Sequence, residues 1–169
     1  MIPKIEKLGQ GHDFQAFDCG NSDLNTFIQK NALSSQNSGG STTFVGLADQ
    51  TVIGYYSLAV GSVQYEQAPD RLKKGLGQYD IPIMLLARLA VDCHWQNNGV
   101  GAGLLKNSML RTLQVAKNAG IRALIVHAKD KGARGFYEHF NFFPSPTDPL
   151  HLFILLKNVR QIVQYPTQS

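Results

Sequence analysis

The sequence predicts a mixed α/β domain, and three features lead there. Two β-rich runs, Thr42–Ala48 and Thr51–Val60, are joined as a hairpin; strand–helix–strand units follow; and a long helical apolar period runs from Gly99 to about Asn118. The tally is about six strands and three or four helices, an arrangement that suits a mixed sheet covered by helices. With 169 residues, 43% of them hydrophobic and 17% charged, the chain can bury a full core as a single domain over 1–169.

Each element has its own signal. Ile2–Leu8 alternates apolar and polar residues as an opening strand does. Asn21 or Ser22 can cap a helix from Asp23 to about Leu33, with Leu24, Phe27, Ile28 and Leu33 mostly on one face. Ser34–Ser41 is rich in Ser, Asn and Gly and reads as a mobile loop. Asp49-Gln50 is the hairpin turn. The segment from about Gly61 to Asp80 is polar and carries Arg71, Lys73 and Lys74. Ile83–Val91 is a nearly unbroken apolar run, hence a buried strand, and the polar stretch Asp92–Asn98 follows it. In the long helix Leu104, Leu105, Met109, Leu113 and Ala116 form the stripe that faces a sheet, and Gly120 stops it. Ile121–His127 is the next buried strand; a short helix from about Gly132 to Phe140, a Pro-containing loop and the strand Leu150–Leu156 complete the chain.

Charge and cysteine usage narrow the function. The net charge is +4, but residues 1–103 carry 7 Lys/Arg against 9 Asp/Glu, whereas 104–169 carry 9 against 3. Positive charge gathered in one third of the chain points toward an anionic partner. No apolar run approaches the roughly 20 residues of a membrane span. The N-terminus lacks the apolar stretch of a secretory signal, so a cytoplasmic protein is expected. Cys19 and Cys93 are too few for a disulfide framework and lack zinc spacing, so reduced thiols and no metal site are expected.

The chemistry centres on Leu89–Gly101, where a buried strand feeds a glycine loop that opens a helix. A helix start offers free N–H groups and the positive end of a dipole, and Gly99 and Gly101 let the backbone approach an anion such as a diphosphate. A Walker A loop needs Gly-Lys-Ser/Thr, which is absent here. The dinucleotide fingerprint needs a third glycine where Leu104 stands, and an acidic residue where Ala119 and Gly120 stand. Gln96-Asn97-Asn98-Gly99-Val100-Gly101 fits a third pattern, Gln/Arg-x-x-Gly-x-Gly/Ala, at every defined position. The bland alternative is a glycine-rich helix start that holds no ligand.

That third pattern is the pyrophosphate loop of GNAT acyltransferases, and the chain resembles that superfamily, in particular the acetyltransferase toxins of bacterial toxin–antitoxin operons. Four pieces carry the resemblance, in the family's order over residues 17–144: Phe17-Asp18-Cys19-Gly20-Asn21 with Leu24-Asn25-Thr26-Phe27; Arg88-Leu89-Ala90-Val91-Asp92; the loop; and His127-Ala128-Lys129-Asp130 running into Ala133-Arg134-Gly135-Phe136-Tyr137 and on to Phe142, with Pro144 after it. The resemblance implies the GNAT fold, a mostly antiparallel sheet of about six or seven strands flanked by about four helices. It implies that backbone groups of Leu89, Ala90 and Val91 bind the pantetheine arm of acetyl-CoA where that strand splays from its neighbour. Backbone N–H groups of Gln96, Asn97, Asn98, Gly99, Val100, Gly101 and Ala102 would hold the diphosphate, and Tyr137 would protonate the departing thiolate. Asn141 stands where the family commonly has Gly, a mild departure because Asn tolerates a left-handed backbone.

The implied function is an acetyl-CoA-dependent toxin that acetylates the α-amine of the amino acid on charged tRNA. A homodimer, a partner antitoxin of the ribbon-helix-helix type, and DNA contact only through that antitoxin come with it. Elementary chemistry agrees with the substrate: an aminoacyl ester amine, below the α-amine range of about 7.7–8.0, is largely neutral at pH 7, whereas a lysine at about 10.4 needs a base. No carboxylate stands out as that base. The transfer from a tyrosine (about 10) to a thiolate (about 8.5) is only slightly uphill. Lys73, Lys74, Lys129, Lys131 and Arg134, with Arg71, form the basic set for RNA phosphates; Lys129, Lys131 and Arg134 could equally meet the phosphates of the cofactor, and singly each reads as a solvated loop residue. His127 reads as structural or substrate-lining, His94 and Trp95 as local packing, Glu138 and His139 as a solvated helix face, and Cys93 as inert. The alternatives are a GNAT enzyme acting on a protein N-terminus, a lysine or a small amine, and a non-catalytic module that senses acyl-CoA or binds RNA.

Overall fold

The computed structural model describes residues 3–164. Seven strands form one mixed sheet in the order β1-β2-β3-β4-β5-β7-β6: β1 (Lys4–Lys7), β2 (Thr42–Ala48), β3 (Thr51–Val63), β4 (Ile81–Val91), β5 (Ala123–His127), β6 (Phe143–Pro144) and β7 (His151–Leu155). β4 and β5 pair in parallel, and the helix α4 (Val100–Ala116) is the crossover that a parallel pair requires. The chain divides into two compact units, Met1–Ala59 with Ala87–Ser108, and Val60–Leu86 with Met109–Ser169.

The first unit is a meander under a bent helix. β1 pairs antiparallel with β2, and β2 with β3, across the expected turn, where Asp49 takes a left-handed φ of 55°. Phe17, Phe27, Ile28, Val45, Leu47, Val52, Tyr55 and Ala90 form its core. Asn21 caps α1 (Ser22–Thr26) by accepting from the Leu24 N–H at 3.1 Å. A π turn, Phe27–Asn31, joins α1 to α2 (Ala32–Asn37). The expected loop from Ser34 is therefore helical as far as Asn37. The cause is tertiary: Ala32 is fully buried, and the Gln36 side chain donates to the Leu8 carbonyl at 2.9 Å and accepts from the Thr43 N–H at 3.0 Å. Gly54 lets α4 close on the sheet, since a Cβ there would stand 2.8 Å from Leu104 Cδ1 and 3.1 Å from the Ala90 carbonyl.

In the second unit β4 pairs with β5 from Ile83↔Ala123 to Leu86↔Val126, β5 pairs antiparallel with β7, and the short β6 adds to β7. The core holds Leu72, Ile81, Ile83, Ala123, Ile125, Phe153 and Leu155. The segment predicted as polar and irregular contains a 3-10 turn, Tyr65–Gln67, and the short helix α3 (Asp70–Lys73), held by Arg122, whose Nε donates to the Leu72 carbonyl at 3.0 Å and Nη2 to the Lys74 carbonyl at 2.7 Å. α5 (Lys131–His139) matches its expectation. α6 (Leu156–Gln164) follows β7 without a break and was not expected, because Leu156 continues the apolar run of the strand. The predicted stripe of α4 is observed in its first half, with Leu104, Leu105 and Met109 fully buried; Leu113 and Ala116 are only half-buried, and Ser108 and Thr112 are fully buried beside the stripe.

Candidate active site

β4 ends in a turn that one carboxylate organises. Asp92 accepts from the Asp18 N–H at 3.1 Å, the His94 N–H at 2.9 Å and His94 Nδ1 at 3.0 Å, while its own N–H donates to the Ile53 carbonyl at 2.8 Å. Burial works to raise its pKa, but these donors outweigh burial and hold the carboxyl below the usual range. Asp92 is thus an ionised cap of the Cys93–Trp95 turn, with its oxygens occupied by protein donors.

After that turn the backbone doubles back. Asn97 and Gly99 take left-handed φ values of 65° and 82°, which only glycine adopts without strain and asparagine tolerates. Gln96 braces the bend with its side chain: Nε2 donates to the Val91 carbonyl at 2.9 Å and to the Cys19 carbonyl at 3.1 Å. Asn98 Nδ2 donates to the Gln96 carbonyl at 2.9 Å. α4 then begins, and its first turn closes with the Gly103 N–H on the Gly99 carbonyl at 3.1 Å. The N–H groups of Val100, Gly101 and Ala102 therefore precede the helical ladder. Gly101 is helical, so of the two glycines only Gly99 is required for its φ. A row of N–H donors, a helix dipole and a carboxylate turned inward form a seat that fits a diphosphate.

The first sequence piece is built into this loop. Asp18 Oδ1 accepts from the Gly20 N–H at 2.9 Å and Asn25 Nδ2 at 3.0 Å, which holds its carboxyl below the usual range. Asn25 Oδ1 accepts from the Cys19 N–H at 2.9 Å, and the Asp18 carbonyl accepts from the Cys93 N–H at 2.8 Å. Phe17–Asn25 therefore acts as a scaffold for the loop. Asp92 and the Gln96 side chain are participants that spacing did not identify. Of Leu89, Ala90 and Val91, Ala90 is buried and its neighbours are half-buried. The β5 register ends at Leu86, so β4 continues five residues past it, Ala87–Val91.

Tyr137 lies in the second unit, on α5. Asp130 caps that helix by accepting from the Ala133 N–H at 2.8 Å. The Tyr137 ring is 6% exposed and packs edge-on against Phe136 (5.2 Å) and Phe142 (5.4 Å). Burial pushes its pKa above the usual tyrosine value. Among the described residues no fully buried polar side-chain atom lacks a partner, and Tyr137 makes no side-chain hydrogen bond there, so its hydroxyl keeps an open end. Asn141 ends the helix at a φ of 71°, the left-handed position expected of it.

The basic residues differ in what holds them. Lys129 and Lys131 are exposed at the start of α5, whereas Arg134 pairs with Glu138 at 2.9 Å. Lys73 lies over the Tyr65 ring at 5.0 Å, Arg71 over Phe143 at 4.2 Å, and Lys74 is exposed. His127 is exposed and stacked on His151 at 3.9 Å; partial burial and that neighbour hold its pKa below the usual histidine value. Cys93 is exposed and Cys19 buried. Among the described residues no helix is long and apolar enough to cross a membrane.

Comparison with known proteins places this geometry. The family model for the acetyltransferase (GNAT) domain matches residues 39–143. A tRNA-acetylating toxin of Mycobacterium tuberculosis (strain ATCC 25618 / H37Rv) is 41% identical over 157 residues, covering 93% of this chain and 94% of that protein. Among solved structures, a tyrosine-to-phenylalanine mutant of KacT matches with a TM-score of 0.86 and 25% identity, over 95% of this chain and 99% of the other. AtaT complexed with acetyl-methionyl-tRNAfMet matches with a TM-score of 0.85 and 27% identity, over 94% and 97%. A mutant AtaT with the C-terminus of the antitoxin AtaR and acetyl-CoA, and the KacTA–DNA complex, each match at 0.79 and 27%, over 94% and 96%.

Proposed function

This chain belongs to the GNAT acetyltransferase family, and on that premise we propose that it is a toxin that acetylates the α-amine of the amino acid on charged tRNA and so blocks translation. The observation that carries this reading is the 41% identity, over 93% of the chain, to a tRNA-acetylating toxin. Acetyl-CoA supplies the acetyl thioester. The N–H groups from Gln96 to Ala102 hold its diphosphate, and backbone groups of Leu89, Ala90 and Val91 align its pantetheine arm. A backbone N–H of that segment faces the developing oxyanion. Tyr137 donates its phenolic proton to the leaving thiolate and regains one from solvent through its open hydroxyl end. The acceptor needs little help: its α-amine is largely neutral at pH 7. Lys73, Lys74, Lys129, Lys131 and Arg134 contribute to tRNA phosphate binding, Arg134 least because Glu138 already pairs with it.

The partner in this reading is an antitoxin of the ribbon-helix-helix type, with DNA reached through it, and the toxin is a cytoplasmic homodimer. Residues 1–169 act as one domain, since β3, β4 and α4 each run from one unit into the other. The test incubates the protein with labelled acetyl-CoA and either charged tRNA, deacylated tRNA, or a panel of amines and peptides. Label confined to charged tRNA and lost on mild alkaline deacylation is the expected result. Label in amines or peptides with charged tRNA untouched would leave a GNAT enzyme and discard the toxin.

A further inference from the structure

In the first unit one cation is held away from any counter-ion. Arg88 is half-buried on β4, and its guanidinium carbon stands 3.6 Å from the centre of the Phe27 ring. Among the described residues no carboxylate lies within ion-pair distance of it. A charge drawn partly out of water is costly unless an anion or a full set of hydrogen bonds compensates. An aromatic face returns only about 0.5–2 kcal/mol. The contact with the ring holds the guanidinium in place without using its planar fork of N–H donors on a carboxylate, and such a fork can meet a phosphate in bidentate fashion. The ring beneath it opens the π turn Phe27–Asn31, an uncommon element that is frequent at functional sites.

We propose that Arg88 binds the phosphodiester next to the terminal ribose of the charged tRNA, the ribose that bears the amino acid; this rests on the charged-tRNA reading above. Position along the strand assigns the anion to the acceptor. The donor's diphosphate belongs to the loop after Val91, whereas Arg88 stands three residues, about 10 Å, before Val91, on the far side of the segment that aligns the pantetheine arm. A free lysine or a small amine brings no phosphate to that place; a charged tRNA brings one. The same guanidinium disfavours a protonated ammonium beside it, which keeps the attacking amine in its neutral form. Arg88 is in this account a residue of acceptor specificity.

The test measures binding of bulk charged tRNA over a range of salt concentrations, with acetyl-CoA binding by calorimetry as the control for folding. Arg88→Gln is expected to weaken tRNA binding about ten- to a hundredfold. It should also reduce the slope of log affinity against log salt by about 0.7, the share of one phosphate on a single strand. Acetyl-CoA binding stays as in wild type, and Arg88→Lys recovers the salt slope but only part of the affinity. An unchanged slope in Arg88→Gln overturns the proposal, as does equal binding of charged tRNA by variant and wild type. Loss of acetyl-CoA binding in both variants would reassign Arg88 to the fold and overturn it too. Failure of the wild type to acetylate any charged tRNA would instead refute the reading beneath, and this assignment with it.

Discussion

The side-chain amide of Gln96 donates to the Val91 carbonyl at 2.9 Å, so the last residue of β4 and the first of the glycine loop are tied across the turn. The same nitrogen reaches the Cys19 carbonyl, 77 positions earlier in the chain, at 3.1 Å. Gln96 is exposed, so Gln96→Ala should cost about 0.5–1.5 kcal/mol of stability, the net worth of a typical hydrogen bond. It should also weaken acetyl-CoA binding severalfold. Thermal unfolding and calorimetry check both; a variant matching wild type in each removes the bracing role. Gln96→Glu should be at least as damaging, because a carboxylate opposes both carbonyls instead of donating to them.

Gly99 has a φ of 82°, which a side chain adopts only with strain. Gly99→Ala is expected to cost about 1–2 kcal/mol. The same bend sets the N–H groups of Val100, Gly101 and Ala102, so acetyl-CoA affinity should fall by more than it does for Gly101→Ala, whose backbone is helical. Comparing the two alanine variants by calorimetry decides it, and equal affinities would contradict a special role for Gly99.

Asp92 makes a specific pH prediction. Its folded-state pKa is lowered, so its contribution to stability is complete above the unfolded value of about 3.9 and is lost as pH falls through the folded value. Asp92→Asn should lower stability near neutral pH and flatten the loss on acidification. Denaturant unfolding from pH 7 down to pH 3 measures this. An acid limb identical in slope to wild type would show that the carboxylate does not hold the turn.

Tyr137 should behave as an acid with a high pKa. Since burial raises its pKa, the alkaline limb of turnover is displaced above the ordinary tyrosine value of about 10. The acid limb belongs to the acceptor amine and lies near or below pH 8. Tyr137→Phe should reduce kcat about 10²- to 10⁴-fold, the usual worth of a positioned acid, with the KM for acetyl-CoA little changed. Full activity of Tyr137→Phe would remove the tyrosine from the chemistry.

The sequence made legible what depends on neighbours along the chain. The turn at Asp49-Gln50 and the Leu104, Leu105 and Met109 part of the α4 stripe follow from local period and backbone chemistry and are observed, whereas Leu113 and Ala116 of that stripe are only half-buried; the left-handed Asn141 was legible through the family's glycine at that position. What it left out depends on distant partners. Ser34–Asn37 reads as loop by composition but is helical because Gln36 is anchored to Leu8 and Thr43. α6 was hidden because Leu156 looks like one more strand residue. Gln96 was legible as a loop position through the six-residue pattern, but its bond to Cys19 and the bond that Asp92 accepts from Asp18 join residues 77 and 74 positions apart. Asp18 and Asn25 were visible only as a family resemblance until their hydrogen bonds gave that piece a structural purpose.

The most direct measurement is mass spectrometry of what this protein attaches to charged tRNA. After reaction with acetyl-CoA, the tRNA is hydrolysed under mild alkali and the released amino acids are analysed beside the nucleosides. An N-acetyl amino acid released from the 3′ end, formed by wild type and strongly reduced in Tyr137→Phe, is the predicted result. Unmodified amino acids, or an acetyl group found on the nucleosides instead, would contradict α-amine acetylation of charged tRNA.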